Sequence, residues 1–340
     1  MPSRSGDERR RMKLVIQIPC YNEAQSLPHA IPHLPREVAG CDSVEWLVVD
    51  DGSEDDTSAV ARSLGVDRIV RHSVNRGLAA TFMTGLRSAI ADGADIIVNT
   101  DADNQYDARD IETLVRPIIE GRAEMVIGAR PIAETEHFSR LKKCLQRLGS
   151  SVVRLASNTE VADAPSGFRA FTREAAQRLN VFSSYTYTLE TIIQAGHSNI
   201  RVLSVPIRTN PDLRPSRLVK SIGRYVWRSA STIVRVFATY KPLMFFWLIA
   251  SFFILVGGVA GSWYLFHRFT GEGAGHIQSA VLAAASITIG LIAFLIGFVA
   301  DLQAVNRRLL EGIDWRLRQL EDSARGVSAA VDTRAKDHAA

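Results

Sequence analysis

Two carboxylates one residue apart, Asp101 and Asp103, follow a short apolar run that predicts a buried strand. Gln105 adds an amide oxygen two residues later. If the chain stays extended through Asp103, the two carboxylates project to the same side. Hard oxygen ligands of this kind suit Mg²⁺ or Mn²⁺. The stretch therefore indicates a divalent metal site, and the alternative is an acidic turn that caps the following helix.

The sequence up to residue 130 alternates apolar strand patterns with amphipathic helix patterns. Strands are predicted at 13–19, 45–49, 69–70, 94–99 and 125–128, and helices at 55–64, 78–91 and 108–121. This alternation is typical of an α/β fold with a doubly wound, mainly parallel sheet. Such sheets bind ligands at the carboxyl ends of their strands. The polar residues that follow the strands should therefore meet at one edge: Tyr21, Glu23, Asp50, Asp51, Asp101, Asp103 and Arg130.

The carboxylates at the second strand end, Asp50 and Asp51, suit the hydrogen-bond donors of a nucleotide's base and ribose. Their alternative role is a turn that caps the next helix. The sequence contains no Gly-x-Gly-x-x-Gly or Walker pattern, which argues against a dinucleotide site and against ATP hydrolysis. A diphosphate beside these carboxylates would need a metal ion to neutralise it, which agrees with the metal site predicted at Asp101 and Asp103.

The total charge of the chain indicates no particular class of partner, and its cysteines indicate no metal site or disulfide. The 40 Lys and Arg residues nearly balance the 36 Asp and Glu residues. Cys20, Cys41 and Cys144 are widely spaced and match no zinc or disulfide pattern, so we expect buried thiols in a reducing compartment. Residues 1–12 are polar and Arg-rich, which predicts a disordered basic tail rather than a signal peptide.

Two long apolar stretches, 243–266 and 277–300, each exceed the roughly 20 residues that span a bilayer. They predict two transmembrane helices within 242–301, and the alternative is a pair of buried core helices. Basic residues flank both outer ends of the pair, whereas the short loop between the helices carries one arginine, Arg268. Because basic flanks stay in the cytoplasm, we expect an integral membrane protein whose sheet-containing part, N-terminus and C-terminus are cytoplasmic.

Residues 213–241 form a basic segment before the first span. Its basic residues share one helical face, which predicts amphipathic helices on the membrane surface: Arg217, Lys220, Arg224, Arg228 and Arg235. This face could attract anionic lipid or hold a lipid-linked phosphate, and the two roles are compatible. Because the basic residues lie beside membrane spans and lack RNA-binding motifs, no nucleic-acid partner is expected.

The chain after the second span carries a further amphipathic pattern. Residues 302–322 predict a cytoplasmic helix of mixed charge that packs on the protein or on a neighbouring subunit. The second arrangement would make the protein a homo-oligomer. Residues 323–340 are predicted to be a disordered tail.

Four motifs occur in the order found in family 2 glycosyltransferases, which the chain resembles over about 13–300. They are Pro19-Cys20-Tyr21-Asn22-Glu23, Val49-Asp50-Asp51-Gly52-Ser53, Asn75-Arg76-Gly77-Leu78 and Asp101-Ala102-Asp103-Asn104-Gln105. Together with the stretch 163–169, the basic segment and the hairpin, they make the chain similar to polyprenyl-phosphate glycosyltransferases, such as dolichol-phosphate mannosyltransferases. The resemblance implies a catalytic domain of GT-A fold at 13–212.

The resemblance also implies residues that bind the donor. The nucleotide-sugar would contact Pro19, Tyr21, Glu23, Asp50, Asp51, Arg76, Asp101, Ala102 and Asp103. The divalent metal, Mg²⁺ or Mn²⁺, would be held by Asp101, Asp103 and Gln105.

The acceptor side is implied in the same way. The acceptor phosphate would be bound by Arg130, Arg140, Ser216, Arg217 and Lys220, and catalysis would depend on Asp103, Arg130, Arg140 and Arg217. Arg217 stands where the family often has lysine, which keeps the charge and adds a bidentate fork. Residues near the sugar or acceptor would be Asp163, Arg169 and Glu190, and for Arg169 and Glu190 the alternative is a structural role.

The resulting hypothesis is a membrane-bound, metal-dependent glycosyltransferase. It would move a sugar from GDP-mannose or a UDP-hexose to polyprenyl phosphate on the cytoplasmic leaflet, with inversion at the sugar. The alternatives are a glycosyltransferase with another lipid or glycan acceptor, and a non-catalytic membrane scaffold of the same fold. The sequence lacks the Gln-x-x-Arg-Trp motif of processive synthases, which argues against polymer synthesis.

Overall fold

The computed structural model describes residues 11–131, 151, 154, 157, 159–181, 187–210, 231, 234–235, 238–270 and 276–337. The chain divides into two compact units, Met1–Arg224 with Asp314–Ala340, and Tyr225–Ile313. The first unit contains the sheet, and the second contains most of the apolar helical sequence.

A seven-stranded sheet organises the first unit. The described strands are β1 (Lys13–Cys20), β2 (Ser43–Asp50), β3 (Arg68–Arg71), β4 (Ile96–Asn99), β5 (Met125–Ala129), β6 (Arg169–Thr172) and β7 (Val202–Pro206). Their order is β3-β2-β1-β4-β6-β5-β7. β6 runs antiparallel to both of its neighbours, and the other pairs are parallel. This arrangement confirms the predicted mainly parallel α/β fold of GT-A type.

β1 and β2 lie side by side over their whole lengths, from Lys13 opposite Ser43 to Cys20 opposite Asp50. β1 is buried at every position after Lys13, as expected for a parallel strand that is covered on both faces. Because the two strands end at the same level, the loops that follow them begin next to each other.

Helices connect and cover the strands. In the first unit these are α1 (Leu27–Ala30), α2 (Thr57–Ser63), α3 (Leu78–Ala91), α4 (Ile111–Ile119), α5 (Arg173–Arg178) and α6 (Thr188–His197). α3 buries Phe82, Leu86 and Ala89, which follow the helical period and form one apolar face. The helix predicted at 108–121 begins instead with a 3₁₀ turn at Ala108–Asp110, which leads into α4.

β6 and β7 lie in a part of the chain where the sequence pattern predicts no strand. β6 is inserted between β4 and β5, so that Phe171 lies opposite both Ile97 and Met125. The strand is four residues long and begins with a charged residue, Arg169. Only two of its residues, Ala170 and Phe171, are apolar, which is too few for periodicity to identify a strand.

The second unit contains α7 (Pro242–Phe269) and the first part of α8 (Ile277–Asp337). Both helices are long and apolar enough to cross a membrane, and they fit a hairpin. A Cβ atom on Gly257 would lie 3.0 Å from the carbonyl oxygen of Ala283, and one on Gly290 would lie 3.0 Å from that of Ala250. Small residues at such contacts are typical of packed membrane helices.

α8 continues without interruption to Asp337. This differs from the sequence-based expectation of a separate helix at 302–322 and a disordered tail at 323–340, because one helix runs through the first segment and most of the second. Residues 301–337 contain no proline and are rich in Ala, Leu and Arg, which are strong helix formers.

Several predicted features lie wholly or partly outside the described residues. Of the predicted tail at 1–12, the structure describes residues 11 and 12, and of the basic segment at 213–241 it describes 231, 234–235 and 238–241. Cys20 is buried and Cys41 is partly buried, both as free thiols. Cys144 lies outside the described residues.

Candidate active site

Asp101 and Asp103 lie just after β4, and both residues are partly buried. Burial and the nearby charge of Asp103 raise the pKa of Asp101 to about 7, and the positive charges of Arg130 and Arg169 oppose this rise without cancelling it. A nearby cation favours the charged form of a carboxylate. A divalent ion at this pair would therefore supply the positive charge that the surrounding residues do not.

A buried amide network fixes the end of β4. Asn99 donates from Nδ2 to the carbonyl oxygen of Gly167 at 2.8 Å and to Tyr187 Oη at 2.9 Å. Its Oδ1 accepts a hydrogen bond from Gln17 Nε2 at 2.8 Å. The network joins β4 to β1, to the loop before β6 and to the residue before α6. The position of Asp101, two residues further along, is therefore set by three separate segments.

The loop that carries Asp103 makes a tight turn. Asp103 Oδ1 accepts a hydrogen bond from the backbone N of Gln105 at 3.0 Å, and Asn104 has a φ of 59°. Tyr106 is buried, its ring stacks on Phe168, and burial raises the pKa of its hydroxyl to about 12. Tyr106 therefore packs the loop and stays protonated.

Asn210, near the C-terminal end of the predicted catalytic domain, binds the same loop. Its Nδ2 donates to the carbonyl oxygens of Asn104 at 3.0 Å and Tyr106 at 3.3 Å, and its backbone N donates to that of Gln105 at 2.9 Å. These hydrogen bonds satisfy three backbone carbonyl oxygens in the turn beside Asp103. No motif in the sequence points to Asn210, because its partners lie more than a hundred residues earlier.

Arg130 and Asp163 form a bidentate ion pair after β5. Arg130 Nε donates to Asp163 Oδ2 at 2.7 Å, and its Nη2 donates to Oδ1 at 3.1 Å. Burial by itself would lower the pKa of Arg130, but the hydrogen bonds to Asp163 raise it above its usual value. The structure thus brings together two residues that the sequence assigned to different parts of the site.

Arg169 is completely buried. Its guanidinium donates to three backbone carbonyl oxygens, each at 2.8 Å: those of Ala164, Ser166 and Thr188. Burial lowers its pKa to about 10. These contacts give Arg169 a structural role, and its contact with a sugar or acceptor stays a prediction. Glu190 is also buried, on α6.

Asp50 and Asp51 are buried and bind donors from the protein itself. Asp50 accepts a hydrogen bond from the backbone N of Ser53 at 2.8 Å. Asp51 accepts from the backbone N atoms of Arg76 and Gly77, both at 2.8 Å. Asp50 therefore holds the turn after β2, and Asp51 holds the Arg76 loop, which the sequence did not predict. Neither carboxylate caps α2, which begins at Thr57. Contact between either carboxylate and a base or ribose stays a prediction.

His72 supports this arrangement, although its isolated position in the sequence gives no signal for a role. Its Nδ1 lies 2.8 Å from Asp51 Oδ1, and its Nε2 lies 2.9 Å from Thr84 Oγ1 on α3. The imidazole thereby connects the end of β2 to α3.

The loops after β1 and β2 are joined to each other. The backbone N of Asn22 donates to Ser53 Oγ at 3.0 Å, and Asn22 Oδ1 accepts from the backbone N of Glu54 at 2.9 Å. Tyr21 is 39% exposed and Glu23 is partly exposed beside this junction. Both predicted donor-site residues therefore remain within reach of a ligand.

The other predicted site residues differ in exposure. Pro19 and Ala102 are buried, Gln105 is partly exposed and Arg76 is exposed. Four predicted acceptor-site residues lie outside the described residues: Arg140, Ser216, Arg217 and Lys220.

Asp101 and Asp103 suit a divalent metal that is shared with a substrate. Among the described residues, no group of three or more His, Cys, Asp or Glu side chains could hold a metal ion. Mg²⁺ commonly binds through one or two carboxylates and completes its shell with water and substrate phosphates. The carboxylate pair therefore fits a metal that is bound together with a diphosphate.

Comparison with known proteins identifies the family. The model of "Glycosyl transferase family 2" matches residues 15–179. UDP-N-acetylglucosamine--dolichyl-phosphate N-acetylglucosaminyltransferase of Methanococcus voltae is 30% identical over an alignment of 214 residues, and the match covers 56% of this chain and 83% of that protein. The chain belongs to glycosyltransferase family 2. This membership confirms the resemblance and identifies the protein as a glycosyltransferase rather than a non-catalytic scaffold.

Two further proteins are similar to this glycosyltransferase. Polyprenol monophosphomannose synthase of Mycolicibacterium smegmatis is 27% identical over an alignment of 206 residues, and the match covers 57% of this chain and 76% of that protein. The structure of glucosyl-3-phosphoglycerate synthase from Mycobacterium tuberculosis in complex with Mn²⁺ and UDP-glucose has a TM-score of 0.52 and 20% identity, and the match covers 68% of this chain and 79% of that one. The structural likeness shows the shared fold.

Gly167 approaches Asp101 too closely for a side chain. A Cβ atom would lie 3.2 Å from each carboxylate oxygen of Asp101 and 2.8 Å from Tyr187 Oη. Gly167→Ala is therefore expected to lower the transfer rate at least about tenfold and the free energy of unfolding by about 1–3 kcal/mol, because overpacking displaces its neighbours. Initial rates and thermal unfolding measure both effects. Gly258→Ala, where nothing lies within 4 Å, is the control and should match the wild type.

Loss of the Asn210 side chain should loosen the Asp103 loop. Asn210→Ala is expected to raise the Mn²⁺ concentration needed for half-maximal activity by about tenfold, which is typical when a residue supporting a metal ligand is removed. Metal titration of the transfer rate tests this. Thr209→Ala, at an exposed neighbouring position, is the control. An unchanged Mn²⁺ requirement in Asn210→Ala would contradict the positioning role.

Proposed function

We propose that this glycosyltransferase moves a sugar from a nucleotide-sugar to a polyprenyl phosphate at the cytoplasmic face of a membrane. The observation that carries the proposal is the Asp101 and Asp103 pair after β4, in a chain that also has two membrane-length helices. The names of two relatives support the acceptor class, because both specify a dolichyl or polyprenol carrier. They differ in the sugar, so the donor is left open between GDP-mannose and UDP-hexoses.

The donor is proposed to lie along the loops after β1, β2 and β4. Pro19, Tyr21 and Glu23 would line the nucleotide, and Asp50 or Asp51 would contact the base or ribose. The hydrogen bonds between Asn22 and the β2 loop hold these segments together before the donor arrives. Preformed loops of this kind reduce the entropy that binding must overcome.

Mg²⁺ or Mn²⁺ is proposed to bind at Asp101 and Asp103, with Gln105 as a further ligand. When bound, the metal supplies positive charge to the diphosphate and stabilises it as a leaving group. Burial and the nearby charge of Asp103 raise the pKa of Asp101, and a cation at the pair would favour the charged form of both carboxylates, which supports this role. The structural neighbour described above contains Mn²⁺ and a UDP-sugar.

The acceptor phosphate is proposed to be held by Arg130, Arg140 and Arg217, with Ser216 and Lys220 beside them. Because this phosphate is anionic at neutral pH, the reaction needs no strong general base. A phosphate oxygen forms the new bond to the anomeric carbon while the bond from that carbon to the diphosphate breaks. The nucleoside diphosphate leaves with the bonding electrons, and the single displacement inverts the sugar. The arginines align the attacking group.

The membrane arrangement follows from the same proposal. The catalytic domain at 13–212, the basic segment at 213–241 and both termini would be cytoplasmic, and the helices within 242–301 would span the bilayer. Basic residues on both flanks of the hairpin support this orientation. The basic segment would then bring the lipid phosphate to the catalytic domain.

A donor panel tests the proposal. Purified full-length protein in detergent is incubated with polyprenyl phosphate, Mn²⁺ or Mg²⁺, and each of several radiolabelled GDP- and UDP-sugars. A lipid-linked product with one donor, lost when the metal is chelated, is the expected result. Transfer to a different lipid or to a glycan, with none to polyprenyl phosphate, would show that the proposed acceptor is wrong.

A further inference from the structure

α8 carries a row of exposed apolar side chains beyond the membrane-length part of the helix. The row, called here the helix seam, is exposed by 65%, 55%, 54% and 67% at Leu310, Ile313, Leu317 and Leu320. Large apolar side chains that are exposed in a contiguous row mark an interaction surface.

The spacing of the helix seam identifies the kind of surface. Its members follow one another at intervals of three, four and three residues, and the same alternation continues in the sequence at Ala324, Val327 and Val331. This is the a and d pattern of a coiled coil, here sustained over three heptads. A period of 3.5 residues keeps the apolar positions on one narrow seam that faces a partner helix.

The flanking charges indicate that the partner is another copy of the same helix. Arg316 occupies the g position before Leu317, and Glu321 occupies the e position after Leu320. In a parallel coiled coil, a g residue lies beside the e residue five positions later on the neighbouring helix. Arg316 of one chain would therefore lie beside Glu321 of the second copy, with opposite charges.

We propose that the helix seam joins copies of this chain in a parallel coiled coil. The parallel order rests on the membrane topology proposed above, because helices that leave the same face of the bilayer point the same way. Self-association does not depend on that topology. A lipid surface is a weaker occupant, since α8 runs unbroken from its membrane-length part past Arg307 to Asp337 and so leaves the bilayer along its own axis.

The oligomeric mass of the full-length protein in detergent tests the proposal. Light scattering is expected to find more than one copy in the wild-type particle and a single copy in Leu317→Glu/Leu320→Glu. The control Gly312→Glu/Gln319→Glu adds the same two charges to the same helix at positions outside the seam, and should keep the wild-type mass. A monomeric wild type, or a seam variant of unchanged mass, would overturn the proposal.

Cysteine cross-linking tests the parallel order separately. Leu317→Cys should form a disulfide with the second copy on oxidation, because equal a positions meet in a parallel pair, whereas Gln319→Cys should not. Both are compared with the parent chain, which carries three cysteines of its own. Equal cross-linking at both positions would reject the seam. The seam variants should still transfer sugar at a measurable rate. A failed prediction about self-association is therefore distinguishable from a failed proposal about the activity.

Discussion

Replacing Asp103 with asparagine is expected to lower the rate of sugar transfer by about a thousandfold, because loss of a charged metal ligand removes several kcal/mol of stabilisation from the leaving diphosphate. Asparagine can still accept the hydrogen bond that the backbone N of Gln105 donates to Asp103 Oδ1. The loop should therefore keep its shape while the metal affinity falls. Radiolabelled transfer at several Mn²⁺ concentrations gives the rate, and calorimetry with Mn²⁺ and nucleoside diphosphate gives the affinity.

The matched control for this experiment is Asp56→Asn. Asp56 is exposed and stands at the start of α2 without making a side-chain capping bond, so the substitution removes the same charge from the surface. Its rate and Mn²⁺ dependence should equal those of the wild type. If Asp103→Asn kept most of its activity with an unchanged Mn²⁺ dependence, the metal would have to bind elsewhere.

Removal of Asp163 is expected to lower the free energy of unfolding by about 3–5 kcal/mol, because Arg130 would be left with its charge largely buried and unpaired. The side chains of Arg130 and Asp163 are 16% and 1% exposed, so water can compensate the loss only slightly. The double variant Arg130→Ala/Asp163→Ala should recover part of the stability that Asp163→Ala loses, since neither charge then remains. The thermal unfolding of four proteins is compared: the wild type, Arg130→Ala, Asp163→Ala and the double variant. The exposed pair Arg116 and Glu112 is the control, and removing it should change stability by less than about 1 kcal/mol.

The same four proteins separate a positioning role of Arg130 from contact with the acceptor phosphate. If Arg130 holds the attacking phosphate, the double variant should remain at least about a hundredfold slower than the wild type although its stability has recovered, as when other charge-stabilising donors are removed. The acceptor concentration at half-maximal rate should also rise. Recovery of activity together with stability would instead make Arg130 a structural residue.

Much of the fold and the central motif could be predicted from the sequence. The apolar run before Asp101 and the matching run at β1 are local signals, because a strand buried on both faces must be apolar at almost every position. The two membrane-length helices are also predicted from local sequence, because each is a continuous apolar stretch. β6 escaped prediction because only two of its residues, Ala170 and Phe171, are apolar and it begins with Arg169, whose charge is satisfied by backbone carbonyl groups only in the folded chain.

The sequence by itself determined the layer of strands and helices, the two membrane-length helices and the carboxylates that meet at the sheet edge. Only the tertiary structure decided how those carboxylates are supported. Asn99 bonds to Gly167 across 68 positions, and Asn210 bonds to Asn104 across 106. It also decided that Asp51 holds the Arg76 loop and that Asp163 pairs with Arg130. Periodicity and motif spacing describe neighbours along the chain, whereas these hydrogen bonds form between segments that meet only when the sheet has assembled.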